Sequence, residues 1–158
     1  MVKEQQVEAV YLTAEGRLAL EEELERLTTS ERTALAARLH SAIKDGDLSE
    51  NAAYTAAKED QGHLEGRISY IQANLRRAVL IDTGGGDGKV SLGCTVTVVD
   101  SDGEITYRIV GPLEADPAGG RISNMSPVGR ALMGHSANEE VTVQTPDGAM
   151  RVKIIKVL

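Results

Sequence analysis

The sequence predicts an α+β protein in which a long antiparallel helical hairpin precedes a small antiparallel sheet domain with one short helix. Apolar residues recur at spacings of three, four or seven along two segments of the N-terminal half. An acidic corner at residues 44–51 separates these segments, and it contains one glycine. After the glycine-rich run 84–88 the period changes to the alternation typical of strands. We therefore predict a hairpin domain over 1–81 and a sheet domain over 82–158.

The first helix is predicted to begin after Thr13 and to continue to residue 43, since no proline interrupts that span. The Thr13 hydroxyl is a suitable N-cap, and Glu15 in the first turn suits the positive end of the helix dipole. The apolar stripe comprises Leu20, Leu24, Leu27, Ala34, Leu35, Leu39 and Ala42. This pattern predicts a single helix.

A second apolar stripe follows the corner, from Ala53 to Leu75. Two long amphipathic helices joined by a few residues can bury both stripes by folding back on each other as an antiparallel coiled coil. At about 1.5 Å per residue the resulting arm would be roughly 45 Å long. Such an arm is longer than a compact bundle of this mass requires.

The sheet domain carries two hairpin signals, each a turn sequence between alternating segments. The turns are Asp102-Gly103, between Thr95–Val99 and Glu104–Val110, and Pro146-Asp147-Gly148, between Val141–Thr145 and Met150–Val157. Between the hairpins, Ser126 as N-cap and Pro127 at the first helical position predict a short helix that stops at Gly134.

Composition and charge limit the classes of partner. The formal net charge of −7 disfavours free binding to nucleic acid or to anionic membranes. The single cysteine, Cys94, excludes an intramolecular disulfide. The sequence shows no signal peptide and no apolar run of membrane-spanning length, so we expect a soluble cytoplasmic protein with no membrane partner.

The corner between the helices allows two interpretations. In the first, Asp47 or Ser49 caps the second helix, Glu50 lies in its first turn, and Gly46 supplies the freedom of a turn. In the second, Asp47 and Glu50, three residues apart, present oxygen ligands to a hard cation such as Mg²⁺. Two carboxylates form only half of such a site. An acidic pair at the end of a long arm therefore suggests a device that inserts its ligands into another molecule's active centre.

The chain resembles the bacterial GreA/GreB family of transcript cleavage factors, most closely GreA, over essentially its whole length. The matching stretches are Leu12-Thr13-Ala14-Glu15-Gly16, Gly46-Asp47-Leu48-Ser49-Glu50-Asn51-Ala52-Ala53-Tyr54, Glu65-Gly66-Arg67-Ile68, Ser126-Pro127 and Ala131-Leu132-Met133-Gly134. The resemblance implies an FKBP-like C-terminal domain that docks at the rim of the RNA polymerase secondary channel, and a coiled coil that enters the channel.

The resemblance also implies the chemistry. In backtracked complexes the tip acids, matched here by Asp47 and Glu50, help to bind a second Mg²⁺, and the polymerase hydrolyses the nascent RNA near its 3′ end. Two-metal displacement chemistry fits this arrangement. The ion would be shared with the polymerase and not held tightly by this chain alone. The chain would thus be a monomeric cofactor of the polymerase and not an enzyme by itself.

Further residues match family positions. Asn51, Tyr54, Lys58 and Lys44 are the candidates for contacts at the tip and with RNA, while Ser126 and Pro127 are the candidates for docking on the polymerase. Four of these residues also have a purely structural interpretation: tip packing for Tyr54, a solvated helix charge for Lys58, and a helix start for Ser126 and Pro127. Asp45 is interpreted as an additional solvated turn residue.

Two departures from the family pattern bear on these roles. Ile43 stands where GreA often has Arg, which thins the basic patch expected to hold extruded RNA. Met125 precedes Ser126 where the family commonly has Asn or Asp. The alternative function is a binding-only regulator of the same channel, which inhibits the polymerase without stimulating cleavage. A prolyl isomerase is disfavoured, because residues 82–158 contain no Phe or Trp and only Tyr107 as an aromatic side chain.

Overall fold

A computed structural model describes residues 8–44, 51–81 and 87–158. The chain forms two compact units. Of the described residues, the hairpin unit contains Glu8 and those from Arg17 to Arg77, and the sheet unit contains Ala9–Gly16 and those from Ala78 to Leu158. None of the described helices combines the length and the apolarity needed to cross a bilayer.

The hairpin unit consists of two antiparallel helical segments. The first contains α1 (Ala14–Arg26, with its first turn in the sheet unit), a π-helical turn (Leu27–Glu31) and α2 (Arg32–Lys44), and the second is α3 (Ala52–Arg76). Its buried core comprises Leu27, Leu35, Ala57, Leu64, Ile68 and Ile71. These residues come from the predicted apolar stripes, and the predicted helical hairpin is confirmed.

The π-helical turn corrects the prediction of a single regular helix. The backbone N–H of Arg32 bonds to the carbonyl of Leu27, five residues earlier. The buried residues Leu27 and Leu35 are eight positions apart. In a regular helix eight residues overshoot two turns by about 80°, which would place Leu35 to one side of Leu27 on the helix surface. A π turn contains about one residue more than an α-helical turn, so it brings Leu35 back to the face of the helix that carries Leu27.

Side-chain hydroxyls stabilise the carbonyls around this turn. Thr28 Oγ1 donates to the Leu24 carbonyl at 2.8 Å, and Thr29 Oγ1 donates to the Glu25 carbonyl at 2.7 Å. These groups lie where the widened turn disturbs the regular ladder of backbone bonds. The run of hydroxyl side chains thus supports the irregular turn.

Among the described residues, three arginine–carboxylate pairs join the two segments of the hairpin. They are Arg67–Glu23, Arg32–Glu65 and Arg38–Asp60. The first two are bidentate, with N–O distances of 2.7–2.9 Å. Charge pairs of this kind help to set the partner and the register of packed helices.

The sheet unit is built on a five-stranded sheet in the order β5-β4-β3-β7-β6. The strands are β3 (Thr95–Asp100), β4 (Gly103–Val110), β5 (Arg121–Ser123), β6 (Glu140–Thr145) and β7 (Gly148–Val157). Both predicted hairpins are confirmed, because β3 pairs antiparallel with β4, and β6 with β7. Strand β5, which lies parallel to β4, was not predicted.

A short helix packs with the sheet, as predicted. Helix α4 (Pro127–Leu132) is followed by Gly134, which adopts the left-handed conformation with φ of 80°. The core beneath it is almost wholly aliphatic, and its buried members are Val90, Val96, Val98, Ile109, Ile122, Leu132, Val141, Val143, Val152 and Ile154.

A second, two-stranded sheet in this unit was not predicted. It pairs β1 (Val10–Leu12) in parallel with β2 (Ala78–Leu80). The pairing continues through a hydrogen bond of 2.8 Å from the Ile81 amide to the Leu12 carbonyl. The sheet unit is therefore assembled from two segments that are distant in sequence.

Candidate functional site

The end of the helical hairpin contains the residues that the sequence analysis singled out. Lys44 is the last residue of α2, and Asn51 is the N-cap of α3. The acids Asp47 and Glu50, together with Asp45, lie outside the described residues. Their predicted roles therefore stay predictions, and the structure bears on the residues that flank them.

Asn51 connects the two helices at this end. Its Oδ1 accepts a hydrogen bond from the Tyr54 amide at 3.1 Å, and its Nδ2 donates to the Ala42 carbonyl at 2.7 Å. The cap of α3 is thus Asn51, and the interpretation that Asp47 or Ser49 caps this helix is wrong. An amide side chain can accept and donate at once, whereas a carboxylate cannot provide the bond to the α2 carbonyl.

The other predicted tip residues are partly or fully accessible to solvent. Tyr54 is half-buried and Lys58 is exposed, and since they are four positions apart in α3 they share one face. Lys58 Nζ donates to Gln61 Oε1 at 2.7 Å. On α2, Lys44 is exposed and Ile43 exposes 52% of its surface.

Charge pairing restricts which cations of the hairpin are available near this end. Arg32, Arg38 and Arg67 each pair with a carboxylate of the opposite segment. Lys44 and Lys58 form no ion pair with a described residue, and Lys58 has only a neutral partner. The described part of the basic patch therefore rests on two lysines.

The candidate metal ligands are two carboxylates. Asp47 and Glu50 are oxygen donors suited to Mg²⁺. The described neighbour Asn51 has both polar atoms of its amide engaged within the hairpin, so it acts as scaffold here. Within residues 8–44, 51–81 and 87–158, no three His, Cys, Asp or Glu side chains gather as a metal site.

A second predicted site, around Ser126 and Pro127, lies on the sheet unit at the start of α4. Ser126 Oγ accepts from the Gly129 amide at 3.0 Å and donates to the Ser123 carbonyl at 2.6 Å. Pro127 occupies the first helical position and is exposed. The structural role predicted for this pair is confirmed, and the exposure of Pro127 leaves it accessible to a partner.

Gly129 is a residue of this site to which the sequence analysis gave no role. It is buried, and a Cβ atom added to it would lie 2.0 Å from the Ser123 carbonyl oxygen. Only glycine therefore permits α4 to approach the end of β5 so closely. The signal available in the sequence was a glycine inside a segment predicted to be helical.

The residue before Ser126 is held on a rigid backbone. The Met125 amide donates to Ser123 Oγ at 3.0 Å, and its carbonyl accepts from Arg130 Nε at 2.9 Å. The Met125 side chain is 57% exposed. Beside it, Pro127, Arg130, Ala131, Thr142 and Gln144 line an open groove of about 380 Å³ between α4 and the edge strand β6.

Comparison with known families finds matches over most of the chain. Residues 10–80 match the family described as transcription elongation factor, N-terminal, and residues 85–158 match the family described as transcription elongation factor, GreA/GreB, C-term. Transcription elongation factor GreA of Bacillus subtilis (strain 168) is 49% identical over 148 residues, 92% of this chain and 94% of that protein. The GreA of Thermomicrobium roseum is 49% identical over 153 residues, 95% of this chain and 97% of that protein.

Solved structures are also similar to the chain. The GreA factor homolog 1 (Gfh1) protein of Thermus thermophilus is 28% identical with a TM-score of 0.45, and the similarity covers 96% of this chain and 99% of that one. The GreA/GreB factor of Nitrosomonas europaea is 24% identical with a TM-score of 0.40, and the similarity covers 94% and 98% of the two chains.

Proposed function

Because the chain belongs to the GreA/GreB family of transcription elongation factors, we propose that it acts on bacterial RNA polymerase and stimulates cleavage of the nascent RNA in backtracked complexes. The observation that carries the proposal is the 49% identity to GreA over 92% of the chain, together with the intact Gly46-Asp47-Leu48-Ser49-Glu50-Asn51 motif. The helical hairpin inserts its end into the secondary channel, and the chain acts in the cytoplasm as a monomer.

The hairpin end supports this function through its rigid frame. Asn51 caps α3 and also binds α2, so the segment that carries Asp47 and Glu50 is attached to two helices that are themselves tied together. Groups that must meet a reacting centre need such fixed support. Tyr54 and Lys58 on one face of α3, with Lys44 on α2, are the residues we assign to contact with the RNA 3′ end.

Asp47 and Glu50 would hold Mg²⁺ jointly with the polymerase. When bound there, the ion would stabilise the charge that develops on the reacting oxygens of a phosphodiester. The chain's own contribution is to deliver two carboxylates and to position an attacking water through them. Two carboxylates form only half of a Mg²⁺ site, so we expect the chain to have no cleavage activity without the polymerase.

The sheet unit is assigned the docking role. Ser126 is committed to the α4 cap, so its side chain maintains the shape of the surface, while the exposed Pro127 supplies contact area. The polymerase surface at the channel rim is the partner for this face.

The test uses a stalled, backtracked polymerase complex with labelled RNA and Mg²⁺. Wild-type protein should accelerate RNA shortening, and Asp47→Ala or Glu50→Ala should abolish that acceleration while polymerase binding remains within about twofold. Asp45→Ala is the matched control, since it removes a neighbouring acid that has no assigned ligand role. RNA shortening that is unchanged by Asp47→Ala and Glu50→Ala would contradict the assigned chemistry.

The same experiment distinguishes the binding-only regulator. Two observations favour that alternative: the described cations near the hairpin end are few, and Ile43 exposes an apolar side chain there. Slower nucleotide addition without any RNA shortening would support it and would refute the cleavage function.

A further inference from the structure

Arg130 differs from the other arginines of the sheet unit. Arg108 pairs with Glu15, Arg121 with Asp116 and Arg151 with Glu140. Arg130 has no carboxylate partner among the described residues, and its only described side-chain bond runs from Nε to the Met125 carbonyl. The guanidinium therefore keeps its outer nitrogens and its full positive charge available on the surface.

The residue whose carbonyl binds this cation, Met125, also carries an exposed apolar side chain. It is among the most exposed large apolar side chains of the unit, at 57%, although hydrogen bonds at its amide and carbonyl fix its backbone. An exposed methionine on a fixed backbone can enter a partner's pocket at little cost in backbone entropy. Arginine is likewise enriched among the residues that dominate binding energy.

The groove beside these residues supplies the rest of a contact surface. Pro127 and Ala131 contribute apolar area, and Thr142 and Gln144 of the edge strand contribute polar groups. All of these except Ala131 are exposed. The surface therefore combines an apolar projection, one uncompensated cation and a shallow mixed groove.

We propose that Met125 and Arg130 form a paired docking contact for a polypeptide surface that presents an apolar pocket beside a carboxylate. The inference rests on the proposed function, since that surface belongs to the polymerase. It assigns the main contact on this face to an apolar side chain and a charge pair. Met125 and Arg130 are thus the residues that determine the specificity of docking.

The test measures the Kd of the full-length chain for RNA polymerase of the same bacterium. Met125→Asn and Arg130→Gln should each weaken binding about tenfold, the loss typical of a residue at the centre of an interface. The double variant should lose less than the product of the two factors, because both side chains serve one contact. Arg130→Lys keeps the charge and should recover part of the affinity.

Two control variants make the same kinds of substitution elsewhere on the sheet unit. Leu158→Asn replaces an exposed apolar side chain of the same unit, and Lys156→Gln neutralises an exposed cation there. Both should bind as wild type does.

The salt dependence of binding tests the charge pair. Raising the salt from about 50 to about 200 mM should weaken the binding of wild type and of Met125→Asn more than that of Arg130→Gln, because screening acts on the charge pair. Thermal unfolding of each variant should stay close to that of wild type.

The outcomes separate the two proposals. If wild-type protein neither binds polymerase nor stimulates cleavage, the proposed function fails and this inference fails with it. If wild type binds and stimulates cleavage while Met125→Asn and Arg130→Gln bind within twofold of it, the proposed function stands and the docking contact is refuted. Equal losses in the two control variants would also refute it.

Discussion

Glu114 receives two hydrogen bonds from Thr13, one from the backbone amide, 2.8 Å from Oε2, and one from the hydroxyl to Oε1. The same hydroxyl accepts from the Gly16 amide at 3.0 Å and so caps α1. Thr13 is only 1% exposed, so neither of its donors can turn to water if the carboxylate is removed. Gly16 leaves room for this arrangement, because a Cβ atom added there would lie 2.1 Å from Glu114 Cδ.

Glu114→Ala should lower the free energy of unfolding by about 1–3 kcal/mol, because it leaves the buried amide and hydroxyl of Thr13 without an acceptor. Urea unfolding of the full chain measures this change. A double-mutant cycle with Thr13→Val isolates the side-chain bond. Additive effects of the two substitutions would show that the hydroxyl and the carboxylate do not interact.

Substitutions of Asn51 should separate its two hydrogen bonds. Asn51→Ala removes both the cap and the bond to the Ala42 carbonyl, and it should cost about 1–2 kcal/mol. Asn51→Asp keeps an acceptor for the Tyr54 amide but loses the donor, so its cost should be intermediate. Helix circular dichroism during urea unfolding provides the measurement. Equal costs for both variants would indicate that the bond to α2 carries the whole effect.

The Glu23–Arg67 pair predicts an acid-dependent loss of stability. The bidentate hydrogen bond from Arg67 holds the pKa of Glu23 below its ordinary value of 4.5. A carboxyl whose pKa is lowered by folding stabilises the fold above its unfolded pKa, and this contribution disappears as pH falls through the folded pKa. Wild type should therefore exceed Glu23→Gln in stability at neutral pH, and the difference should close as the pH falls below about 4.5.

Arg67→Gln provides the control for this pH dependence. In that background Glu23 has lost the donor that lowers its pKa. Adding Glu23→Gln should then leave the difference between the two proteins nearly constant across the same pH range. A difference that still closes with acid would assign the effect to groups other than Arg67.

The π turn predicts an unusual tolerance to deletion. Removing Thr29 shortens the interval between Leu27 and Leu35 from eight residues to seven, which a regular helix accommodates with both leucines on one face. The free energy of unfolding should change by less than about 1 kcal/mol, since the buried contacts persist.

Deletion of the exposed Ala36 in α2 is the matched control. It rotates all later residues of the helix by about 100° and moves Leu39 and Ala42 away from the core, at a cost of about 3 kcal/mol or more. Unfolding by urea compares the two deletions. Equal destabilisation would mean that the π turn does not serve to align the two leucines.

Features determined by neighbouring residues were predictable from the sequence. The Ser126 cap, the stop at Gly134 and both antiparallel hairpins follow from turn chemistry and local spacing, and all are confirmed. The π turn was missed even though the interval between Leu27 and Leu35 signals it. One additional residue hardly changes a pattern of apolar residues spaced by three or four, so the irregular turn is difficult to recognise from the sequence.

Features that depend on distant pairing were not predictable. Strands β1, β2 and β5 have three residues each, too few for alternation to be recognised, and they form through partners elsewhere in the chain. The cap at Asn51 was missed because Asp47 and Ser49 before it are equally good N-cap residues on sequence alone. The hydrogen bond that decides between them runs from the Tyr54 amide to Asn51 Oδ1. The predicted roles of Asp47 and Glu50 depend on a partner's active centre.

The parallel pairing of β1 with β2 also affects the order of events during synthesis. Every residue between Leu12 and Ala78 leaves the ribosome before the partner strand does. Strand β1 therefore cannot pair until the whole helical hairpin has been synthesised. Closing so long a loop in an open chain carries an entropic cost that slows folding. An antiparallel hairpin that has already formed brings the ends of the insertion together and shortens the effective loop. The order of synthesis therefore favours a nascent chain in which the helices form first and the sheet unit is completed last.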